Sequence, residues 1–256
     1  MQRRSAHILN MLTRAFYRDN AESFAQTRSM PWKGFETLAA AIERGEGLRG
    51  TVHLVDLACG NLRFERFLAA RHPEVLFEVS AFDSTPELAA GAALPENVHV
   101  RIEQLDAIAL LLEEGTCAAS LPDGSCDMAV AFGFLHHVPG FEQRCQLLDD
   151  LLATLAPGGF LAVSLWQFMD DARLAAKAHA TTEEALQRYP ELRLEDGDYL
   201  LGWQNETEAY RYCHHFTEDE SQVLSAHLHG RAALLSEFTA DGKRGDLNRY
   251  LVWQRI

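Results

Sequence analysis

Two acidic residues, Asp56 and Asp83, each close an apolar run of the kind that forms a buried strand. Asp56 leads into a turn of small residues that contains Gly60. An acid at the carboxyl end of a strand in a nucleotide-binding sheet can accept two hydrogen bonds from ribose hydroxyls. We therefore predict that Asp83 binds a ribose. The alternative is that Asp83 caps a helix predicted over 86–92.

A pair of histidines, His136 and His137, follows another apolar run, which ends at Phe132 and Gly133. Histidine titrates near neutrality, so either ring can act as a general base toward a hydroxyl or an amine. A carboxylate nucleophile is already ionised at neutral pH and needs no base. It needs a bidentate cation to orient it, and arginine is the suited side chain. The alternative is a loop in which the histidines only make local hydrogen bonds.

These residues lie at the ends of elements that alternate between strand and helix. The segment from Val52 to Arg71 predicts a strand, a small-residue turn and a helix, which is the first βα unit of a nucleotide-binding sheet. Further strands are predicted over 75–83, 98–104, 126–132, 160–165, 232–238 and 247–254. The predicted fold is therefore α/β, with a seven-stranded, mostly parallel sheet, helices on both faces and an N-terminal helical lead-in.

The chain of 256 residues fits one domain, because no repeat, low-complexity stretch or second core interrupts it. We predict a single domain over 1–256 with four parts. These are a helical lead-in (1–48), a cofactor-binding core (49–168), a helical substrate-side insertion (169–230) and a final β-hairpin (231–256). An amphipathic stripe of Ile8, Met11, Leu12, Ala15 and Phe16 supports the first helix of the lead-in.

The bulk composition narrows the function classes. The formal net charge of −14 repels polyanions at long range and disfavours nucleic-acid substrates. The five cysteines include no Cys-x-x-Cys pair, which argues against a disulfide framework and a thiolate zinc site, so no metal is predicted. No apolar run is long enough to span a membrane and no secretory signal is visible, so we expect a cytoplasmic protein.

The turn after the first strand, Asp56-Leu57-Ala58-Cys59-Gly60-Asn61-Leu62, resembles the first motif of class I S-adenosylmethionine-dependent methyltransferases. Two of the three glycines of that motif are replaced here, by Ala58 and Leu62. The segment from Leu121 to Val138 and the Pro157-Gly158-Gly159 phrase resemble later motifs of the same family. The resemblance implies a Rossmann-like methyltransferase fold and S-adenosyl-L-methionine as cofactor, with S-adenosyl-L-homocysteine as product. The residues that it implies for the cofactor are Tyr17, Arg28, Asp56, Ala58, Cys59, Gly60, Asp83, Ser84, Asp106, Ala107, Phe132 and Gly133.

Within this set, the resemblance assigns Asp106 to the adenine amino group and lets His136 face the reacting centre. Asp106 also precedes the apolar run 108–112, so it can instead be a helix N-cap.

Two flanking segments resemble the eukaryotic tRNA wobble-uridine carboxymethyl methyltransferases. They contain Tyr17, Phe24, Arg28 and Trp32 on one side, and the run from Arg211 to Phe216 on the other. In that group the methyl acceptor is a carboxylate. The resemblance therefore implies that Arg28 and Arg211 hold the carboxylates of cofactor and acceptor, in an order that the sequence leaves open. Tyr17, Tyr212 and His214 would then supply neighbouring hydrogen bonds.

Three functions remain open on the sequence. The first is methyl transfer to a small molecule, through a carboxylate or another oxygen, which the acidic charge favours. The second is methylation of tRNA, which the flanking segments favour. The third is a non-catalytic nucleotide-binding protein, which the replacement of glycine at Ala58 and Leu62 suggests. The small-molecule acceptor is the preferred partner of the three, and the sequence leaves the oligomeric state undetermined.

Overall fold

A seven-stranded sheet forms the centre of the protein. A computed structural model describes residues 1–27, 30–44, 47–203 and 209–256. The strands are β1 Thr51–Leu57, β2 Leu76–Asp83, β3 Val98–Gln104, β4 Cys126–Ala131, β5 Leu155–Trp166, β6 Asp198–Leu201, β7 Arg211–His214, β8 Ala232–Ala240 and β9 Asn248–Arg255. The large sheet has the order β3-β2-β1-β4-β5-β9-β8. Its first five strands are parallel and β9 is antiparallel to both neighbours, so the predicted mostly parallel sheet is confirmed.

Helices cover both faces of this sheet, as predicted. They are α1 Arg3–Gln26, α2 Lys33–Glu43, α3 Arg63–Arg71, α4 Ala107–Glu113, α5 Phe141–Thr154, α6 Ala172–Arg188 and α7 Glu218–His227. Successive side chains of a strand point to opposite faces. Leu54 of β1 therefore packs in the apolar cluster formed with α2 and α3, while Val55 packs in the cluster formed with α4 and α5. Within the described ranges, no helix has the length and apolarity needed to cross a bilayer.

The carboxyl ends of the parallel strands place several loops along one edge of the sheet. β1 ends at Leu57, β2 at Asp83 and β4 at Ala131, and all three point the same way. Helix α1 lies along this edge and contacts both α4 and β7. Ligands of open α/β sheets bind in the crevice outside the carboxyl ends of the strands. The sheet and α1 together therefore define where a ligand site must be sought.

The segment 169–230 differs from the prediction of a helical insertion. It contains α6 and α7, but also the antiparallel pair of β6 and β7, which forms a second small sheet. These strands have four residues each, too few for an alternating pattern to be recognised in the sequence. Apolar packing stabilises the pair, because Leu200 and Tyr212 lie in a cluster with Leu9 of α1.

Two helix predictions also need correction. The helix expected over 86–92 is a single 3₁₀ turn, Pro86–Ala89. The predicted apolar face of the lead-in helix included Met11, yet Met11 is 56% exposed. Asn10 and Thr13 are buried instead, because α1 packs against polar groups at the edge of the sheet as well as against the apolar core.

Candidate active site

The turn after β1 keeps a glycine-like backbone although two of its glycines are replaced. Ala58, Gly60 and Leu62 have φ angles of 65°, 54° and 57°, all in the left-handed region. The backbone N–H groups of Ala58 and Cys59 both donate to the carbonyl oxygen of Phe82, at 2.7 and 3.1 Å. A left-handed conformation costs a residue with a side chain about 1–2 kcal/mol. The substitutions therefore add strain without changing the path of the turn.

Asp83 joins this turn to the end of β2. Its Oδ2 accepts a hydrogen bond from the N–H of Gly60 at 2.9 Å, and its Oδ1 accepts one from the N–H of Thr85 at 2.8 Å. Burial raises the pKa of Asp83 to about 6, although both N–H groups act in the opposite direction. Each carboxylate oxygen retains a lone pair for a further donor. The predicted capping role is met only in part, because Asp83 accepts from the N–H of Thr85, the residue that precedes the 3₁₀ turn.

A second buried acid, Asp56, lies beside Glu65 of α3. Both side chains are almost fully buried, at 3% and 1% exposed. Burial raises the pKa of both carboxyl groups, and for Asp56 the nearby Glu65 raises it further. Two buried carboxylates that face each other cannot both ionise at neutral pH without a large cost. The pair is therefore expected to retain a proton, so it contributes less negative charge than two ionised carboxylates would.

Asp106 has the N-cap role that the sequence allowed as an alternative. Its Oδ1 accepts a hydrogen bond from the N–H of Ala109 at 2.9 Å. Its two oxygens also accept from Asn10 Nδ2 at 3.3 and 3.2 Å, and its Oδ2 forms an ion pair with Arg14 at 3.0 Å. Asp106 therefore attaches α1 to the sheet edge. The predicted contact with an adenine amino group stays a prediction, and it must compete with these donors.

The second of the paired histidines has a defined protonation state. Its Nδ1 lies 2.6 Å from the carbonyl oxygen of Tyr212, which can only accept, and its Nε2 lies 2.8 Å from the hydroxyl of Tyr17. His137 therefore donates through Nδ1 and accepts from Tyr17 through Nε2. Burial and the charge of Arg211 lower the pKa of His137 to about 3. His137 is thus neutral, and its accepting nitrogen is occupied.

His136, His137 and Cys213 form a group of possible metal ligands within 4.8 Å of one another. Both ring nitrogens of His137 already have hydrogen-bond partners, and burial raises the pKa of the Cys213 thiol to about 12. A metal requires a deprotonated thiolate and an available imidazole nitrogen. The described residues therefore offer poor conditions for a metal at this position, and we assign none.

Arg211 lies in a cage of aromatic rings. Its guanidinium carbon is 4.8 Å from the ring centroid of Phe16, 5.7 Å from those of Phe24 and Trp203, and 5.8 Å from that of Trp166. The residue is only 7% exposed, its Nε has no hydrogen-bond partner, and among the described residues no carboxylate forms an ion pair with it. The rings stabilise the cation by about 0.5–2 kcal/mol per contact, but they do not neutralise its charge.

These groups line one cavity of about 730 Å³ at the carboxyl edge of the sheet. This volume lies within the range of about 300–1,000 Å³ that is usual for ligand pockets. The predicted site residues that line it are Tyr17, Asp56, Ala58, Cys59, Gly60, Asp83, Ser84, Asp106, Ala107, Phe132, Gly133, His136 and Arg211. A Cβ added at Gly60 would meet no atom within 4 Å, so the turn leaves open space in which a ligand can approach the backbone.

The structure places two other predicted residues outside this cavity. Tyr212 donates its hydroxyl hydrogen to Asp198 at 2.6 Å, and His214 Nδ1 lies 2.8 Å from the same carboxylate. His214 Nε2 lies 2.7 Å from Glu220, which also pairs with Arg144 at 3.0 Å. Tyr212 and His214 therefore bind groups outside the cavity, and their predicted hydrogen bonds to the acceptor have to compete with these partners. The remaining predicted residue, Arg28, lies outside the described residues.

Several cavity residues were missed by the sequence reasoning. Asn10 and Arg14 bind Asp106, and Trp166 and Trp203 surround Arg211. Asn10, Arg14 and Tyr17 recur at spacings of four and three on α1. That polar stripe beside the apolar face of α1 was a signal that could have identified Asn10 and Arg14. The tryptophans had no comparable local pattern.

The comparisons with known proteins agree with this geometry. Residues 55–163 match the family described as "Methyltransferase domain". The chain is 30% identical over 148 residues to a trans-aconitate 2-methyltransferase of Mycobacterium tuberculosis, covering 58% of this chain and 48% of that protein. It is 27% identical over 172 residues to the enzyme of that name from Mycobacterium ulcerans, covering 67% and 54%. The chain thus spans about half the length of the curated relatives it matches.

Solved structures share the fold. A SAM-dependent methyltransferase from Methanosarcina mazei superposes with a TM-score of 0.57 at 20% identity, covering 82% of this chain and 94% of that one. The N-methyltransferase NodS from Bradyrhizobium japonicum, in complex with S-adenosyl-L-homocysteine, gives 0.53 at 14% identity, covering 93% and 97%. Residues 55–163 thus match a methyltransferase domain, and the chain shares the fold of solved SAM-dependent methyltransferases. The resemblance of the flanking segments to the tRNA group stays a prediction.

Proposed function

We propose that this protein transfers a methyl group from S-adenosyl-L-methionine to the carboxylate of a small organic acid. The observation that carries the proposal is the buried Arg211, which lines the cavity with no carboxylate partner among the described residues. A buried charge without a counter-ion costs on the order of several kcal/mol. An anionic ligand that enters the cavity removes this cost, so the protein favours an acid at this point.

The residues around the β1 turn fit the cofactor. The open space at Gly60 accepts close approach, and Asp83 has a free lone pair on each oxygen for the ribose hydroxyls. Asp106 and Ala107 lie at the edge where the adenine ring would pack. When bound, the cofactor supplies an electrophilic methyl group on a sulfonium whose positive charge is lost as the methyl leaves.

The protein's part in the chemistry is alignment and exclusion of water. A guanidinium binds both oxygens of a carboxylate in one plane, which fixes the direction of attack. No general base is required, because the acceptor is already ionised. This agrees with the state of His137, whose low pKa and occupied nitrogens make it unfit to remove a proton. His137 instead orients Tyr17 at the cavity wall.

The names of the relatives support an acid as acceptor. Both matched mycobacterial proteins are named for methylation of trans-aconitate, which is a carboxylic acid. The net charge of −14 also favours a small acceptor over an RNA backbone.

Incubation with methyl-labelled S-adenosylmethionine and a mixture of organic acids tests the proposal. We expect label in a product that base hydrolysis releases as methanol, since methyl esters hydrolyse in base and methyl amines do not. Arg211→Gln should lose this product, whereas Arg49→Gln, at an exposed arginine outside the cavity, should keep it. Transfer of label only to base-stable products, or to tRNA, would contradict the proposal.

A further inference from the structure

We propose that the acceptor is an acid with one carboxylate attached to a flat, conjugated body, such as an aromatic or a polyunsaturated acid. The proposal rests on the proposed function, since it names the class of acid that the Arg211 cage accepts. It departs from trans-aconitate, which carries three carboxylates and names the matched relatives.

The aromatic end of the cavity offers the acceptor little positive charge. Among the described residues, Arg211 is the cation at the aromatic end of the cavity. Arg14 is paired with Asp106 at 3.0 Å, and Arg63 stacks on Trp32 at 4.5 Å and donates to the carbonyl oxygen of Met30 at 3.4 Å. Arg211 therefore matches one carboxylate, and a second or third would face no comparable partner there.

Two lysines near the cavity do not add a buried cation for a second carboxylate. Lys33 lines the cavity, but it is exposed at the start of α2. Lys177 of α6 is near enough for the charge of Arg211 to lower its pKa, after burial as the main cause. It is an exposed residue and does not line the cavity. Both lysines can attract an acid from solution without holding a buried carboxylate.

The walls around Arg211 are aromatic. Tyr17, Phe24, Trp166 and Trp203 all line the cavity, and the last three surround the guanidinium within 5.8 Å. A carboxylate that meets Arg211 brings the carbon attached to it between these rings. Aromatic rings prefer offset-stacked or edge-to-face contacts with other π systems. A flat, conjugated body can use these contacts, and a bulky saturated one cannot.

Two polar groups beside the cage, the Tyr17 hydroxyl and the His137 ring, already have hydrogen-bond partners. The Tyr17 hydroxyl lies 2.8 Å from His137 Nε2, and His137 Nδ1 lies 2.6 Å from the Tyr212 carbonyl. An additional carboxylate placed among these groups and the rings would lose its water without gaining a donor. Desolvation of a charged group without compensation is strongly unfavourable. The walls therefore select against polycarboxylates.

Matched pairs of acids test the proposal with the intact protein. Cinnamate is compared with its saturated analogue hydrocinnamate, benzoate with cyclohexanecarboxylate, and all four with trans-aconitate. Initial rates with labelled S-adenosylmethionine give kcat/KM, and calorimetry in the presence of S-adenosylhomocysteine gives affinity. We expect the flat acids to exceed trans-aconitate by about tenfold or more in both measurements. Each flat acid should also exceed its saturated partner.

Variants of Trp166 distinguish a π contact with the acceptor from an effect of side-chain volume alone. Trp166→Leu should erase most of the difference within each matched pair, and Trp166→Phe should retain it, because phenylalanine keeps a flat ring. Equal or better turnover of trans-aconitate, or no difference within the pairs, would overturn this proposal and leave the proposed function standing. Failure of every acid to be esterified, while S-adenosylhomocysteine still binds, would overturn the proposed function and this proposal together.

Discussion

The backbone N–H of Gly60 donates a hydrogen bond of 2.9 Å to the Oδ2 of Asp83. This bond joins the turn after β1 to the end of β2, so the open backbone and the acid are fixed relative to each other. The acid is buried, and burial raises its pKa to about 6. The protonation state of Asp83 therefore changes close to physiological pH, and the cofactor side of the cavity is expected to respond to it.

The first prediction concerns the pH dependence of cofactor binding. An ionised carboxylate accepts stronger hydrogen bonds from ribose hydroxyls than a protonated one, so S-adenosylhomocysteine affinity should fall as the pH drops below about 6, by up to about tenfold per unit. Calorimetry between pH 5 and 7.5 measures this. Asp83→Asn should weaken binding by about 1–3 kcal/mol and abolish the pH dependence. A wild-type affinity that stays constant between pH 5 and 7.5 would contradict the assignment of Asp83 to the ribose hydroxyls.

Without cofactor, ionisation of the Asp83 carboxyl has the opposite effect, because it lowers the stability of the fold as the pH rises. Its folded pKa lies above its unfolded value, so its contribution to stability is fully present below the unfolded pKa and is lost as the pH rises through about 6.

The second prediction concerns the strain in the β1 turn. Ala58→Gly should raise the free energy of unfolding by about 0.5–1 kcal/mol, because relief of the left-handed conformation exceeds the added entropy of the unfolded chain. Urea denaturation measures the change. Gly60→Ala is the contrasting variant, with lower stability and weaker cofactor binding, since its Cβ would project into the open space of the cavity. A destabilised Ala58→Gly variant would contradict the assignment of strain.

The third prediction concerns the charged network behind β7. Burial alone would lower the pKa of His214, but its hydrogen bonds to Asp198 and Glu220 outweigh burial and raise it. A raised folded pKa gives stability that is fully present below the unfolded pKa of about 6.5 and is lost as the pH rises through the folded pKa. Urea unfolding at pH 6 and at pH 9 should therefore show a larger advantage of wild type over His214→Gln at the lower pH. His229→Gln, at an exposed histidine, is the control.

The fourth prediction separates the functional role of Arg211 from a structural one. Arg211→Met should leave the stability of the ligand-free protein within about 1 kcal/mol of wild type, because a long apolar side chain replaces an uncompensated buried charge. Turnover of an acid should fall by about a hundredfold or more, since the acceptor's carboxylate loses its only buried cation among the described residues. Thermal unfolding and initial rates measure the two effects. Strong destabilisation with proportionate loss of activity would indicate that Arg211 only supports the fold.

The sequence alone determined the central sheet and the position of the site along it. The carboxyl-terminal halves of β1, β2 and β4 are largely apolar because they are buried on both faces, and such runs are visible locally. In a parallel sheet the carboxyl ends of strands share one edge. Asp56, Asp83 and Phe132 could therefore be assigned to a common cavity from their positions at strand ends alone.

Only the tertiary structure decided which side chains face the acceptor. Arg211, Tyr212 and His214 are neighbours in the sequence, yet Arg211 faces the cavity while the other two bind Asp198 behind β7. The strand is too short to reveal its faces, which are fixed by packing against α1 and α6. The Arg211 cage likewise combines rings from positions 16, 24, 166 and 203. Such long-range proximity leaves no periodic trace in a single sequence, because it depends on how separate elements pack.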